Sequence, residues 1–275
     1  MNWEEQKVLI WGKTYPELSS RYYETVCTGG TLENGNFIRL YPIPFRYLQD
    51  NAIFTKYQWV SLKVLKAKDD PRPESYKVDL ATIKILNSVP TDNYGWRSRK
   101  EIIFKNPAYQ FDSVEKLLEE NARKKTSMGL VFPKCIDDIE IEDRPKQEHE
   151  QFLQKLKDNR ERAKQTELFG SFTVEEVKSL AFISKRFKIH WRCKNPNCNG
   201  HKMSILDWEA YELARKVGVQ SAHSKLQDVL DMHKYDVGFF LGNFRLYPNT
   251  FAIGNIWRPK KTAHTQNLKL FETTP

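Results

Sequence analysis

The stretch His190-Trp191-Arg192-Cys193-Lys194-Asn195-Pro196-Asn197-Cys198-Asn199-Gly200-His201 decides how the second half of the chain folds. Short turns separate Cys193 from Cys198 and Cys198 from His201, and the second turn contains Gly200. Tight turns commonly present thiolates and imidazoles at about 2.0–2.3 Å from a tetrahedral Zn²⁺ ion. Glycine supplies the positive φ that such turns need. The stretch therefore predicts a structural zinc site.

The predicted metal ligands are two thiols and two imidazoles. They are His190, Cys193, Cys198 and His201, with His223, His233 or Cys135 as alternatives to His190. The spacing lacks the second Cys-x2-Cys pair of the strongest zinc signatures. A loop with reduced cysteines and surface histidines is therefore the competing interpretation.

Helices and strands of mixed type surround this stretch. Residues 182–191 read as a basic strand, and residues 237–241 and 251–257 as apolar strands. Ser204 and Asp207 have the spacing of a capping box, which predicts a helix that Gly218 ends. Residues 221–235 predict a second helix. The pattern indicates a zinc-stabilised α+β domain.

The first part of the chain is rich in strand signals. Short apolar runs occupy residues 7–11, 22–28, 37–41 and 57–65, and Asn34-Gly35 between two of them predicts a hairpin. One helix is predicted from Ser113, a capping residue, to Arg123. Several short strands with one helix predict a β-rich sheet or a partly open barrel.

The composition changes sharply between these two parts. Residues 144–170 are mostly charged or amide side chains with a thin apolar stripe, which indicates a solvated helical linker. The predicted organisation is thus an N-terminal domain at 1–143, the linker at 144–170 and a zinc-binding α+β domain at 171–275. The fold class is α+β.

The charge balance indicates a polyanionic partner. The 275 residues include 44 Lys and Arg against 35 Asp and Glu, giving a net charge of +9. Such an excess favours nucleic acid through phosphate contacts and counterion release. We expect DNA rather than RNA, while the oligomeric state stays open.

The sequence also favours a cytoplasmic location. The start of the chain has no signal-peptide pattern, and no stretch approaches 18 uninterrupted apolar residues. Four cysteines, two of them in a metal-like cluster, suit a reducing compartment.

Cations and aromatics are concentrated in loops of the first part. Such mixtures can hold phosphates and stack bases. The predicted nucleic-acid contacts are Lys13, Tyr15, Arg39, Tyr41, Arg46, Tyr47 and Arg72, with Lys188 before the zinc stretch. The alternative is ordinary packing at a sheet edge and pairing with nearby carboxylates.

A second hypothesis is an enzyme that acts on nucleic acid. A DNA glycosylase or a nuclease would need a carboxylate to position water beside a base stacked on aromatics. The candidates are Asp70, Glu74 and Asp207. Asp207 has a structural alternative, because it lies where a helix begins.

Several strings resemble a family of uncharacterised bacterial proteins. They are Lys13-Thr14-Tyr15-Pro16, Val26-Cys27-Thr28-Gly29-Gly30, Arg39-Leu40-Tyr41-Pro42-Ile43-Pro44-Phe45-Arg46, Cys198-Asn199-Gly200-His201 and Asp207-Trp208-Glu209. Members of that family resemble accessory genes of mobile or phage-defence islands. The resemblance implies a role in antiviral defence against foreign DNA and assigns no catalytic residue.

Overall fold

Among the residues that the structure describes, six strands build the first half of the molecule. The computed structural model describes residues 2–91, 96–167 and 177–261. The first strands are β1 (Glu4–Lys13), β2 (Glu17–Ser19), β3 (Tyr23–Leu32), β4 (Phe37–Ile43), β5 (Gln58–Lys66) and β6 (Ser75–Ser88).

Five of these strands close into a ring. β1 pairs antiparallel with both β3 and β5. β3 pairs antiparallel with β4, β5 antiparallel with β6, and β4 parallel with β6. The order β1-β3-β4-β6-β5, with its single parallel contact, is the Greek-key barrel of the OB fold. We call it the first barrel, and β2 lies at its rim against β3.

Local sequence explains much of this barrel. Gly35 adopts a φ of 89° in the turn that joins β3 to β4, as the Asn-Gly pair predicts. Val8, Ile10 and Val26 alternate with outward-facing residues and pack with Ile38 and Leu40 in the barrel core. Because successive side chains of a strand point to opposite faces, the side chains of β3 and β4 that do not enter this core lie on the outer surface of the barrel.

After β6, the described part of the chain contains the five α-helices and seven more strands. The helices are α1 (Arg97–Ile103), α2 (Val114–Lys124), α3 (Lys146–Glu167), α4 (Trp208–Val217) and α5 (Val219–Val229). The strands are β7 (Gln110–Phe111), β8 (Met128–Val131), β9 (Cys135–Asp143), β10 (Lys185–Arg192), β11 (His201–Ser204), β12 (Gly238–Asn243) and β13 (Phe251–Trp257).

These strands repeat the order of the first barrel. β8 pairs with β12 and leads directly into β9, which pairs with β10. β10 pairs with β11, and β12 with β13. A parallel bridge between Ile205 and Ile253 brings the end of β11 to β13. By hydrogen bonding, these strands form a four-stranded sheet, β13-β12-β8-β7, and a three-stranded sheet, β11-β10-β9. The chain from β8 into β9 and the bridge between Ile205 and Ile253 connect the two sheets, and we call them together the second barrel, with α4 and α5 between β11 and β12.

The α+β class is confirmed, and of the β-rich sheet or partly open barrel expected in the first half, the structure has the barrel. β8 and β9 pair with strands after residue 184, and β7 pairs with β8, so strand pairing crosses the boundary predicted at residue 143. The domain limits themselves stay a prediction. The expected capping box is wrong in one detail, because Ser204 ends β11 and Asp207 caps α4.

The charged segment forms a helix, as predicted, but α3 also contacts the first barrel. Asn159 is 2% exposed and its side-chain amide donates to the Tyr23 carbonyl at 2.8 Å. Arg162 lies 4.4 Å from the centre of the Tyr23 ring. The end of the predicted linker, residues 168–170, lies outside the described residues. None of the helices that the structure describes is long and apolar enough to cross a bilayer.

The two barrels meet in an aromatic interface. Trp11 of β1 stacks on Phe240 of β12 with ring centres 4.3 Å apart. Backbone pairing continues between them, because Thr14 forms a bridge with Asp207 and the Tyr15 amide donates to the Leu206 carbonyl at 2.9 Å. The barrels therefore hold the surfaces between them in a fixed geometry.

Candidate nucleic-acid interface and candidate metal centre

A cleft of about 860 Å³ lies between the two barrels. One wall is the outer face of β3 and β4, which presents Cys27, Gly29, Arg39 and Tyr41. These residues alternate with core residues along each strand, so they share one face. The other walls come from β12, β13, the start of α3 and residues 180–183.

The loops that border this wall also enter the cleft. Residues 13–19, 21 and 22, from the end of β1 to the start of β3, line it. Residues 67, 69, 70 and 72, between β5 and β6, also line it. In the strand order of an OB fold, these are the connections between strands 1 and 2 and between strands 4 and 5. In OB folds, the face of the second and third strands and these two loops bind oligonucleotides and oligosaccharides. The cleft coincides with that ligand-binding face.

The cleft is basic. Its nine cationic residues are Lys13, Arg21, Arg39, Arg72, Lys77, Arg144, Lys155, Arg186 and Arg245, and its four acidic residues are Glu17, Asp69, Asp70 and Glu148. Among the described residues that line the cleft, the excess is nine minus four, or +5. The cleft is therefore a concave surface with a net positive charge.

Two arginines are fixed within the cleft. Arg39 is 3% exposed, and its guanidinium donates to the Ser127 hydroxyl at 2.7 Å and the Ser127 carbonyl at 3.1 Å. Arg72 is held by two bonds to the Asp70 carboxylate, at 2.9 and 2.6 Å, and donates to the Asn243 carbonyl at 2.8 Å. Both guanidiniums are therefore preorganised before any ligand binds.

Two other predicted contacts, Lys13 and Tyr15, line the cleft with their polar ends engaged. The Lys13 ammonium donates to the Phe54 carbonyl at 3.1 Å and lies 3.6 Å from the Phe45 ring centre. Burial lowers the pKa of Lys13 to about 8. The Tyr15 hydroxyl donates to the Ala181 carbonyl at 3.0 Å. These side chains shape the cleft wall more than they offer free polar groups.

The structure places Arg46, Tyr47 and Lys188 outside the residues that line this cleft. Arg46 forms an ion pair with Glu24, which is 1% exposed. The Tyr47 hydroxyl accepts from the Lys178 amide at 2.9 Å, and Lys188 pairs with Glu142 at 2.6 Å. Each of them has a structural partner, as expected for ordinary packing and pairing with nearby carboxylates.

The candidate catalytic carboxylates also have partners. Burial alone would raise the pKa of Asp70, but the Arg72 guanidinium and amide outweigh it and lower the pKa to about 2. Glu74 is 2% exposed and accepts from the Ser127 hydroxyl at 2.7 Å. Asp207 caps α4 and pairs with Lys56 at 2.6 Å. Asp70 lines the cleft, whereas Glu74 and Asp207 are not among its lining residues.

A separate cluster joins α2 to the zinc stretch. Ligand atoms of Glu115, Cys193, Cys198 and His201 all lie within 4.8 Å of one another. His201 Nε2 lies 3.4 Å from Cys193 Sγ, 3.3 Å from Cys198 Sγ and 3.6 Å from Glu115 Oε1. Tetrahedral bonds of about 2.0–2.3 Å would separate ligand atoms by about 3.3–3.8 Å. The group can therefore hold a metal ion.

His190, the predicted fourth ligand, is not part of this group. On β10 it lies between buried Ile189 and Trp191, so its imidazole points to the other face, where Nε2 lies 2.6 Å from Glu140. The alternative ligands also lie elsewhere: His223 contacts the Ile139 carbonyl, Cys135 contacts Asp137, and His233 is outside the group. Glu115 takes the fourth place.

Sequence reasoning missed Glu115 and the second-half residues of the cleft. Glu115 reads as an ordinary first-turn acid of a capped helix, and no local pattern links it to Cys193, 78 positions later. One of these cleft residues, Arg245, begins an Arg-Leu-Tyr-Pro string at residues 245–248 that also occurs at residues 39–42. That echo was the available signal, although the two strings occupy different places in their barrels.

Family comparisons divide the chain where its strand pairing changes. A family described as a domain of unknown function, DUF8757, matches residues 110–275, more than half of the chain. The chain belongs to the DUF8757 family. A second domain of unknown function, DUF8758, matches residues 4–105. The DUF8757 region thus begins at β7, and the first barrel lies in the DUF8758 region. No curated protein matches the chain.

Proposed function

We propose that this protein binds nucleic acid, DNA in preference to RNA, in the cleft between its barrels. The observation that carries the proposal is the coincidence of the +5 cleft with the face that OB folds use for ligands. Fold alone does not define a function. The charge, the fixed guanidiniums and the aromatic lining are what support this ligand.

Phosphates would be held by the exposed cations at the rim of the cleft, while the fixed guanidiniums of Arg39 and Arg72 add positive charge to its wall. If five phosphates are neutralised on a single strand, the slope of log K against log salt is about −3.5. Raising the salt from 50 to 200 mM would then weaken binding about 100-fold. Tyr41, 45% exposed on β4, is available to stack a base.

We further propose that the metal cluster binds Zn²⁺ in a structural role. Two thiolates, an imidazole and a carboxylate are ligands that zinc accepts, and four protein ligands leave no open position for catalysis. All four cysteines are free thiols, so a reducing, cytoplasmic location is part of this proposal. Elemental analysis should find about one zinc per chain, and Cys198→Ser should lower that content.

The enzyme hypothesis is the weaker candidate, because its three carboxylates are each engaged in a structural interaction. A role in bacterial defence against foreign DNA stays part of the proposal. The defence role is a reason to expect DNA as the ligand, and it is independent of the geometry of the cleft.

A matched pair of variants on α3 tests the binding proposal. Lys155 is exposed and lines the cleft, whereas Lys157 is exposed on the same helix and is not among the lining residues. Fluorescence anisotropy with labelled DNA and RNA oligonucleotides at 50 and 200 mM salt should show strong salt dependence. Lys155→Glu should weaken binding about tenfold, as an order-of-magnitude expectation from the loss of one to two phosphate contacts.

Three results would count against the proposal. They are failure to retain any oligonucleotide at 50 mM salt, equal effects of Lys155→Glu and Lys157→Glu, and tighter binding of RNA than of DNA. Products should be analysed in the same incubations. Strand scission or abasic sites would favour the enzyme hypothesis instead.

A further inference from the structure

The loop between β12 and β13, residues 244–250, presents apolar side chains to solvent. Within the part of the chain that the structure describes, eight large apolar residues are exposed, and three of them lie in this loop. Leu246 is 76% exposed, Tyr247 66% and Phe244 39%. A concentration of this kind in one short loop usually marks a contact surface.

The loop is held by its own backbone. The Thr250 amide donates to the Tyr247 carbonyl at 2.9 Å, and the Tyr247 amide donates to the Phe244 carbonyl at 3.2 Å. The Asn243 side chain donates to the Pro248 carbonyl at 2.7 Å. The exposed side chains are therefore carried on a defined backbone, which reduces the entropy lost on binding.

This loop is continuous with the basic cleft. Phe244 and Arg245 both line the cleft. The Arg245 guanidinium donates to the Asp69 carbonyl at 3.3 Å, which ties the loop to the cleft-lining loop of the first barrel. A ligand that leaves the cleft on this side would meet Leu246 and Tyr247 next.

We propose that the 244–250 loop stacks unpaired bases and that the ligand is therefore single-stranded. This inference rests on the proposed nucleic-acid function and deepens it. In a duplex the base faces are covered by neighbouring pairs, whereas a single strand can offer each face to an aromatic ring. A protein partner would also suit exposed apolar residues, but the continuity with a +5 cleft favours a polyanion that carries flat apolar groups.

Substitution of the most exposed aromatic tests the inference. Tyr247→Ala should weaken single-strand binding by about 5- to 150-fold, the range measured for loss of one stacked base. Tyr247→Phe should retain binding, because the ring is kept. The salt dependence should not change, since stacking releases no counterions. Trp3→Ala, another exposed aromatic but outside the cleft lining, is the matched control and should bind as the unaltered protein does.

The measurement is anisotropy with a labelled single strand and with the corresponding duplex, together with sedimentation of each variant. Tighter binding of the single strand, with the loss confined to Tyr247→Ala, supports the inference. Equal affinity for duplex and single strand overturns it, as does unchanged binding by Tyr247→Ala. A changed oligomeric state with unchanged binding would make the loop a self-association surface and also overturns it. If the unaltered protein binds no nucleic acid, the proposed function fails as well.

Discussion

Replacement of Lys56 tests whether Asp207 is a structural ion-pair partner or a free carboxylate. The Lys56 ammonium lies 2.6 Å from Asp207 Oδ2, 2.8 Å from Glu209 Oε2 and 2.8 Å from Asn255 Oδ1. These partners belong to the second barrel, while Lys56 precedes β5 in the first. The Lys56 and Asp207 side chains are 14% and 5% exposed.

Lys56→Met should destabilise the protein by about 3 kcal/mol. Loss of one partner from a buried ion pair costs about 3–5 kcal/mol, because the other charge stays buried without compensation. Asp207 keeps hydrogen bonds from the Glu209 and Ala210 amides, so we expect the lower end of that range. For a chain of this size, that loss corresponds to a fall in Tm of about 6–12 °C.

The effect should be nearly constant between pH 6 and 9. Burial alone would lower the pKa of Lys56, but the Asp207 and Glu209 carboxylates outweigh it and raise the pKa above 10.5. A group with a raised folded-state pKa contributes its full stability below the unfolded value and loses it only at higher pH.

Differential scanning calorimetry of single and double variants would measure the pair. Asp207→Asn retains an oxygen for the helix cap, so Lys56→Met/Asp207→Asn should recover much of the loss. Lys63→Met, at an exposed position of β5, should change stability by no more than about 0.5 kcal/mol. A Tm for Lys56→Met within 2 °C of the unaltered protein, or a strictly additive double variant, would refute this reasoning, because 2 °C corresponds to about 0.5–1 kcal/mol.

Three further predictions concern Lys13, the metal group and the barrel interface. Burial lowers the pKa of Lys13 from 10.5 to about 8, so between pH 8 and 10.5 the unfolded state binds more protons than the folded state, and stability should rise with pH in that range. Lys13→Met should therefore raise the Tm at pH 7 by more than at pH 10, and equal increases at the two pH values would contradict this. A chelator should lower the Tm of the unaltered protein and of Cys135→Ser but not that of Cys198→Ser, whereas equal shifts in all three would exclude a structural metal. A Cβ on Gly29 would lie 2.2 Å from the Trp11 ring, so Gly29→Ala should cost about 1–3 kcal/mol in urea unfolding, and an unchanged midpoint would show that the ring can move.

Short-range signals were enough to predict most of the longer strands, whereas the short strands β2, β7 and β11 were not predicted. The Asn34-Gly35 turn and the alternation along β4 and β5 depend on residues that are neighbours in sequence, and the structure has the hairpin they predict. How the strands close was not predictable in the same way. The parallel pairing of Arg39 with Ser75, and of Ile205 with Ile253, joins residues far apart in the chain, and no local pattern specifies it.

The same division applies to the candidate sites. Cys193, Cys198 and His201 lie within nine positions, and the structure brings all three together. Glu115 lies on α2, which precedes β8 and β9 in the chain. Only the folded chain therefore shows that Glu115 is close to the two cysteines and His201. The fold places the predicted cations in different environments. Arg46 pairs with a buried acidic residue, whereas Arg39 and Arg72 line the cleft.

The stack of Trp11 on Phe240 has a consequence for synthesis on the ribosome. The strands of the first barrel are complete at Ser88, but Phe240, the second-barrel ring that stacks on Trp11, emerges much later. At about 5–20 residues per second the intervening chain takes roughly 8–30 s to make. During that time the nascent barrel presents Trp11 and its neighbour Phe37 without their partner. A fragment released after the first barrel should therefore be prone to aggregation and a ready client for chaperones.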